Sequence, residues 1–111
     1  MNPIFNQVRS PYAGRDKAIE NLGGLTALYE KHLKKFKETY ADSAEVLHQL
    51  LSCGDNEKAR ILAHSIKGLA GTLGLTRLHY AAADLETSIK NNTSHNSPLE
   101  VFSHCLEEII K

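Results

Sequence analysis

The 111-residue sequence has no tryptophan, one methionine, three prolines and two cysteines. With so few aromatic residues, its core must be built mainly from leucine, isoleucine and alanine, with a little phenylalanine. Cys53 and Cys105 are too few and too far apart to read as a zinc site or a disulfide framework. A reducing, cytoplasmic setting is therefore expected, with both thiols as small core or near-core residues among apolar neighbours. Net charge is also lacking, since 13 lysines and arginines balance 13 acidic residues. A nucleic-acid partner is not expected, because such proteins normally carry a clustered basic excess. The lysines of KHLKKFK are the only local concentration, and they read as a solvated helix face. No apolar run approaches the ~20 residues of a membrane span. The N-terminal stretch MNPIFNQVRSPYAGR lacks the basic start and apolar follow-on of a secretory signal.

What is present is enough for one domain. Apolar residues make up 41% of the chain, sufficient to bury a core at this length, and charged residues at 23% give no sign of disorder. Residues 1–15, with Pro3 and Pro11, show no helical period and read as an arm or linker remnant. Residues 16–111 read as the domain. DKAIENL is a short helical segment stopped by Gly23-Gly24. The next helix carries Leu25, Leu28, Tyr29, Leu33, Phe36 and Tyr40 at spacings of three and four, with His32 in the same stripe. A third begins near Asp42 or Ser43 and is expected to bury Val46, Leu47, Leu50 and Leu51. Asp55 caps a fourth, with Leu62, Ile66, Leu69 and Leu73 inward. Thr76 opens a fifth, with Leu78, Ala82, Leu85 and Ile89 inward. Ser97-Pro98 opens the last, with Leu99, Phe102, Leu106 and Ile109 inward. No segment alternates with period two for long enough to be a strand. The expected fold is all-α: an antiparallel four-helix bundle with one or two short additional N-terminal helices.

One stretch breaks the rules of a good helix. AHSIKGLAGTLGL, residues 63–75, has a complete apolar stripe but also Gly68, Gly71 and Gly74. A glycine inside a helix costs ~1 kcal/mol relative to alanine. Gly74 belongs to the helix end, but Gly68 and Gly71 do not. His64, Lys67, Gly68 and Gly71 fall at i, i+3, i+4 and i+7, along one face opposite the expected apolar stripe. The glycines leave a strip of backbone beside the histidine, open either to a partner or to another helix packed against it.

HSIKGLAGTLGL resembles the phosphorylation motif of histidine-containing phosphotransfer domains, roughly His-x-x-Lys-Gly-x-x-x-x-x-Gly. Here that motif is His64, Lys67, Gly68 and Gly74, with Gly71 a frequent companion. ENLGG followed by LYEKHLKKF, the Cys53-Gly54-Asp55 helix end and the Leu85-Glu86 pair extend the similarity over about residues 16–110. The resemblance implies a phosphorelay intermediate. His64 would accept a phosphoryl group from a receiver-domain aspartyl phosphate and pass it to another receiver aspartate. The implied partners are response-regulator receiver domains and a sensor or hybrid histidine kinase, with the chain a monomer. The implied cofactor set is empty, Mg²⁺ being expected on the receiver. His64 is then the nucleophile, Lys67 stabilises the phosphoryl oxygens, and Gly68 and Gly71 clear the partner's approach.

Chemotaxis kinases carry the same motif on a domain phosphorylated by a separate ATP-binding domain. The Gly23-Gly24 leading segment favours the relay type. A helical adaptor that keeps the bundle without the chemistry is a further alternative. A di-iron bundle is disfavoured, because Glu45-Val46-Leu47-His48 is a single copy of an element that such sites need twice. No glycine-rich ATP loop is present, so autonomous kinase activity is not expected.

The hairpin geometry adds Glu86. His64 lies ten residues before Gly74 and Glu86 eleven after Leu75, which puts them at one height along two antiparallel helices. The Glu86 carboxylate is expected within ~6 Å of the imidazole, close enough to orient it. His48, His79, His95 and His104 show no pairing pattern.

Overall fold

The computed structural model describes residues 10–110, which form six helices and no strand. They are α1 (Arg15–Asn21), α2 (Thr26–Tyr40), α3 (Ser43–Ser52), α4 (Asn56–Thr72), α5 (Thr76–Lys90) and α6 (Asn96–Ile110). The last four pack in a ring: α3 on α4, α4 on α5, α5 on α6, and α6 back on α3. This is the expected helical bundle. Of the two helices ahead of it, α1 is short at 7 residues, whereas α2 runs for 15. α2 covers the bundle with Tyr29, Leu33 and Phe36, all buried.

Between α4 and α5 the chain turns at Gly74, whose φ of +71° lies in the left-handed region. The Leu75 N–H donates back to the Ala70 carbonyl at 2.9 Å, closing the helix end. Asp55 caps α4 as expected, accepting from the Lys58 N–H at 3.3 Å. The last helix starts at Asn96 rather than at Pro98, and its first turn closes from the Leu99 N–H to the His95 carbonyl at 2.9 Å. Pro98 still falls in the first turn, where a missing N–H leaves no helix bond unmade.

The core is aliphatic. Leu47, Ile66, Leu75, Leu78, Leu85, Phe102 and Ile109 are fully buried, each contributing ~1.5–3 kcal/mol of apolar transfer. On α4 the inward face differs from the expected one. It is Ala59, Ala63, Ile66, Ala70 and Leu73, while Leu62 is only half-buried and Leu69 is 41% exposed. The stripe is turned because alanines carry most of it, and a pattern traced through the larger residues misplaces its centre. Val46 and Leu25, also expected inward, are exposed for a similar reason: Ser43 and Leu47 on α3 and Tyr29 on α2 take the buried positions.

Residues 1–9 fall outside the described residues, but the chain is packed from Tyr12 onward. The Tyr12 side chain lies against the core and its hydroxyl reaches the Ile109 carbonyl at 3.5 Å. The Gly14 N–H donates to the Gly74 carbonyl at 3.0 Å. Two glycines meet here backbone to backbone, and a Cβ on Gly74 would fall 2.2 Å from the Gly14 carbonyl carbon. Arg15 then pairs with Glu30 at 2.7 Å, with its guanidinium 5.4 Å from the Tyr29 ring centroid, tying α1 to α2. The Tyr29 hydroxyl donates to the Leu73 carbonyl at 2.7 Å and fastens α2 to the end of α4.

Of the two cysteines, Cys105 is buried, and that burial pushes its thiol up to about 11. Cys53 is exposed rather than near the core, since it follows the last turn of α3.

Candidate functional site

His64 stands in the middle of α4 on the side away from the bundle core. Its side chain is 63% exposed. Directly across from it on α5 is Glu86, whose side chain is only 14% exposed. The His64 Nδ1–H donates to Glu86 Oε2 at 2.9 Å, well inside the expected limit. A carboxylate can only accept, so this contact places the ring proton on Nδ1 and leaves the Nε2 lone pair on the far side of the ring. Lys67, one turn after His64, directs its ammonium at the other carboxylate oxygen, Glu86 Oε1, at 2.7 Å. The sequence-derived triad of His64, Lys67 and Glu86 is thus gathered around one carboxylate.

Two influences act on that carboxylate. Burial pushes the Glu86 carboxyl up, but the hydrogen bonds from Lys67 and His64 and their charges outweigh it. The net effect holds the group below the usual carboxylate range. Glu86 therefore stays ionised around neutral pH and can stabilise positive charge on the imidazole. Arg60, one turn before His64, adds a further cation within the field of Glu86, while its own partner is Glu57 at 2.6 Å.

The two interior glycines of α4 occupy different surroundings. A Cβ on Gly68 would meet nothing within 4 Å. The surface beside the imidazole is therefore open there, with Ile61, 51% exposed, one turn before His64. Gly71 is also exposed, but a Cβ on it would lie 3.0 Å from Nδ1 of His79 on α5. The ring of His79 lies tight against the place a side chain would take, so packing from α5 borders part of the strip expected to be open to a partner. His79 showed no pairing pattern in the sequence taken alone. The signal was its seven-residue spacing from Glu86, matching that of Gly71 from His64.

His32 is exposed. It lines a surface groove with Lys35, Phe36 and Leu69. Among the described residues no cluster of three or more His, Cys, Asp or Glu is arranged to hold a metal ion, and no helix is long and apolar enough to cross a membrane. Glu45 and His48 lie on a groove between α3 and α6.

The site is an exposed histidine on a small helical bundle, backed by a carboxylate and flanked by lysine and glycine. The Hpt domain family model matches residues 31–111, and the chain belongs to that family of histidine phosphotransfer modules. The match covers α3 to α6 and most of α2. α1 and the Gly23-Gly24 turn lie ahead of it. No curated protein and no solved structure matches the chain.

Proposed function

We propose that this chain is a phosphorelay intermediate. His64 takes a phosphoryl group from a receiver-domain aspartyl phosphate and passes it to a second receiver aspartate. The Nε2 lone pair attacks phosphorus, the N–P bond forms, and the acyl phosphate O–P bond breaks to release the receiver carboxylate. The ring proton stays on Nδ1, so the ring gains positive charge as the bond forms. Glu86, ionised and 2.9 Å away, stabilises that charge. Lys67 supplies an ammonium one turn from the nucleophile, in position to turn toward the phosphoryl oxygens. Transfer to the second receiver is the same step reversed, which suits a nitrogen–phosphorus bond of high transfer potential. The Mg²⁺ for each step belongs to the receiver. The chain is a phosphocarrier with no kinase activity of its own, acting as a monomer in the cytoplasm with receiver domains and a sensor or hybrid histidine kinase.

The observation that carries this reading is the pairing of an exposed imidazole with a mostly buried carboxylate that fixes its Nδ1 proton. The test is incubation with a phosphorylated receiver domain, followed by intact mass and acid lability. One acid-labile phosphoryl group is expected on the wild type and none on His64→Gln. Failure to gain phosphate from several receivers, with the helical circular dichroism intact, overturns the relay reading in favour of an adaptor or a domain served by its own kinase.

A further inference from the structure

His79 is the histidine whose contacts the phosphoryl step does not use. It is half-buried, and its Nδ1 lies 2.8 Å from the Lys67 carbonyl oxygen. A carbonyl only accepts, so Nδ1 of His79 carries the proton and donates. The Lys67 carbonyl sits within the α4 ladder and uses its second lone pair for this bond. Lys67 is thereby held twice by α5, at its backbone by His79 and at its ammonium by Glu86 at 2.7 Å. The ring fits because Gly71 has no side chain, since a Cβ there would stand 3.0 Å from Nδ1 and 3.3 Å from Cε1. On its own helix the ring packs edge-on against Tyr80, with centroids 5.2 Å apart.

Register gives these contacts a consequence. Gly71 lies seven residues after His64 on α4, and His79 lies seven residues before Glu86 on α5. In an antiparallel pair both intervals are two turns, ~10.5 Å, so the stagger that seats His79 on Gly71 is the stagger that brings Glu86 to His64. The core side of α4 cannot set this stagger alone. It is mostly alanine (Ala59, Ala63 and Ala70), and apolar contact between small side chains is non-directional. A hydrogen bond seated in a glycine gap has one position.

We infer that His79 is a positioning residue for the phosphorylation site: seated on Gly71 and bonded to the Lys67 carbonyl, it fixes the slide of α5 along α4 at which Glu86 holds the His64 Nδ1 proton. Its effect on transfer rests on the relay reading above, whereas its effect on the His64 tautomer does not.

The experiment compares wild type, His79→Leu, His79→Asn, His79→Ala, Gly71→Ala and the double variant Gly71→Ala/His79→Ala, with Glu86→Gln as reference. ¹⁵N spectra of the His64 ring nitrogens report which one carries the proton, and transfer from a phosphorylated receiver domain is timed in parallel. Wild type should show the proton on Nδ1. His79→Leu should shift His64 toward the tautomer mixture of Glu86→Gln and slow transfer ~10-fold, a usual consequence of losing an outer orienting group. His79→Asn, whose amide nitrogen reaches the place of Nδ1, should restore both. Gly71→Ala should reproduce the His79→Leu defect, and the same alanine should add nothing once residue 79 is alanine. A His64 tautomer unchanged in both His79→Leu and Gly71→Ala overturns the inference, and so does a defect in His79→Leu that His79→Asn fails to relieve. If His79→Leu does not fold, Gly71→Ala and His79→Asn decide the matter on the same spectra. If the wild type takes up no phosphate, the relay reading falls while the tautomer comparison still decides the role of His79.

Discussion

At Glu86 a single carboxyl group is subject to opposed influences, burial favouring the neutral acid and the hydrogen bonds from Lys67 and His64 favouring the anion. The neighbours prevail, so the folded group titrates lower than it does in the unfolded chain. Its stabilisation is therefore fully present above about pH 5 and is lost as the pH falls through the lowered folded range. Glu86→Gln should cost about 1 kcal/mol at pH 7, a modest figure because His64 is largely exposed. The difference between wild type and variant should shrink as the pH falls through that lowered range, as read from urea unfolding at a series of pH values. Gly68 offers the converse experiment. Its surroundings are empty, so Gly68→Leu relieves the helix of a glycine and should raise stability by ~0.5–1 kcal/mol. The same side chain would stand beside the imidazole and should slow transfer by about 100-fold. Urea midpoints and transfer rates on the same preparation check both halves, and normal transfer would show that the bare surface at Gly68 is not there for a partner.

Among the elements, the two glycine-ended helices that flank Asp55 and Leu75 make a controlled pair. Gly54 and Gly74 both have positive φ, +82° and +71°. Nothing lies within 4 Å of a Cβ at Gly54, so Gly54→Ala should cost only the conformational ~1–2 kcal/mol. Gly74→Ala carries the same cost and also drives a Cβ into the Gly14 backbone. It should be worse by roughly 2 kcal/mol in denaturant unfolding, with α1 displaced. This contact also marks where reading from the sequence stopped. The six helices were legible because their apolar periods and glycine stops are local signals. The meeting of His64, Lys67 and Glu86 was legible because motif spacing and hairpin arithmetic put them at one height. The docking of Gly14 on Gly74 was not, because contact between two backbones leaves no side-chain pattern. The seat of His79 on Gly71 was hidden in a strip whose two glycines look alike in sequence and differ only in what α5 brings to them. The turned stripe of α4 was missed because alanine is a weak apolar signal by itself, yet α3 and α5 can close on it.

At the scale of the whole molecule, charge balance becomes a reporter. With 13 positive and 13 negative side chains the unmodified chain is formally neutral, so a phosphoryl group adding about two negative charges dominates its net charge. In a native gel near pH 7 the phosphorylated form should run clearly ahead of the unmodified one. Brief acid treatment should abolish the faster band, and His64→Gln should never produce it. A faster band that persists in His64→Gln would place the phosphate elsewhere. The family match begins at residue 31, yet Ala18 and Tyr29 ahead of it are buried in the same core. Residues 12–30 are thus part of the folded body, and cutting at residue 31 would open it.

The alanine face of α4 has a mechanical meaning. Ala59, Ala63 and Ala70 let the histidine-bearing helix lie close to its neighbours, with little soft side-chain volume between the backbones. Such a joint works as a bearing with a tight tolerance. A long, flexible side chain at these points would cushion a disturbance elsewhere in the bundle, whereas here any swelling is passed undamped to the gap between His64 and Glu86. How near the histidine-bearing helix lies to its neighbours is thus set from behind by these alanines, while its stagger along α5 is left to His79 on Gly71.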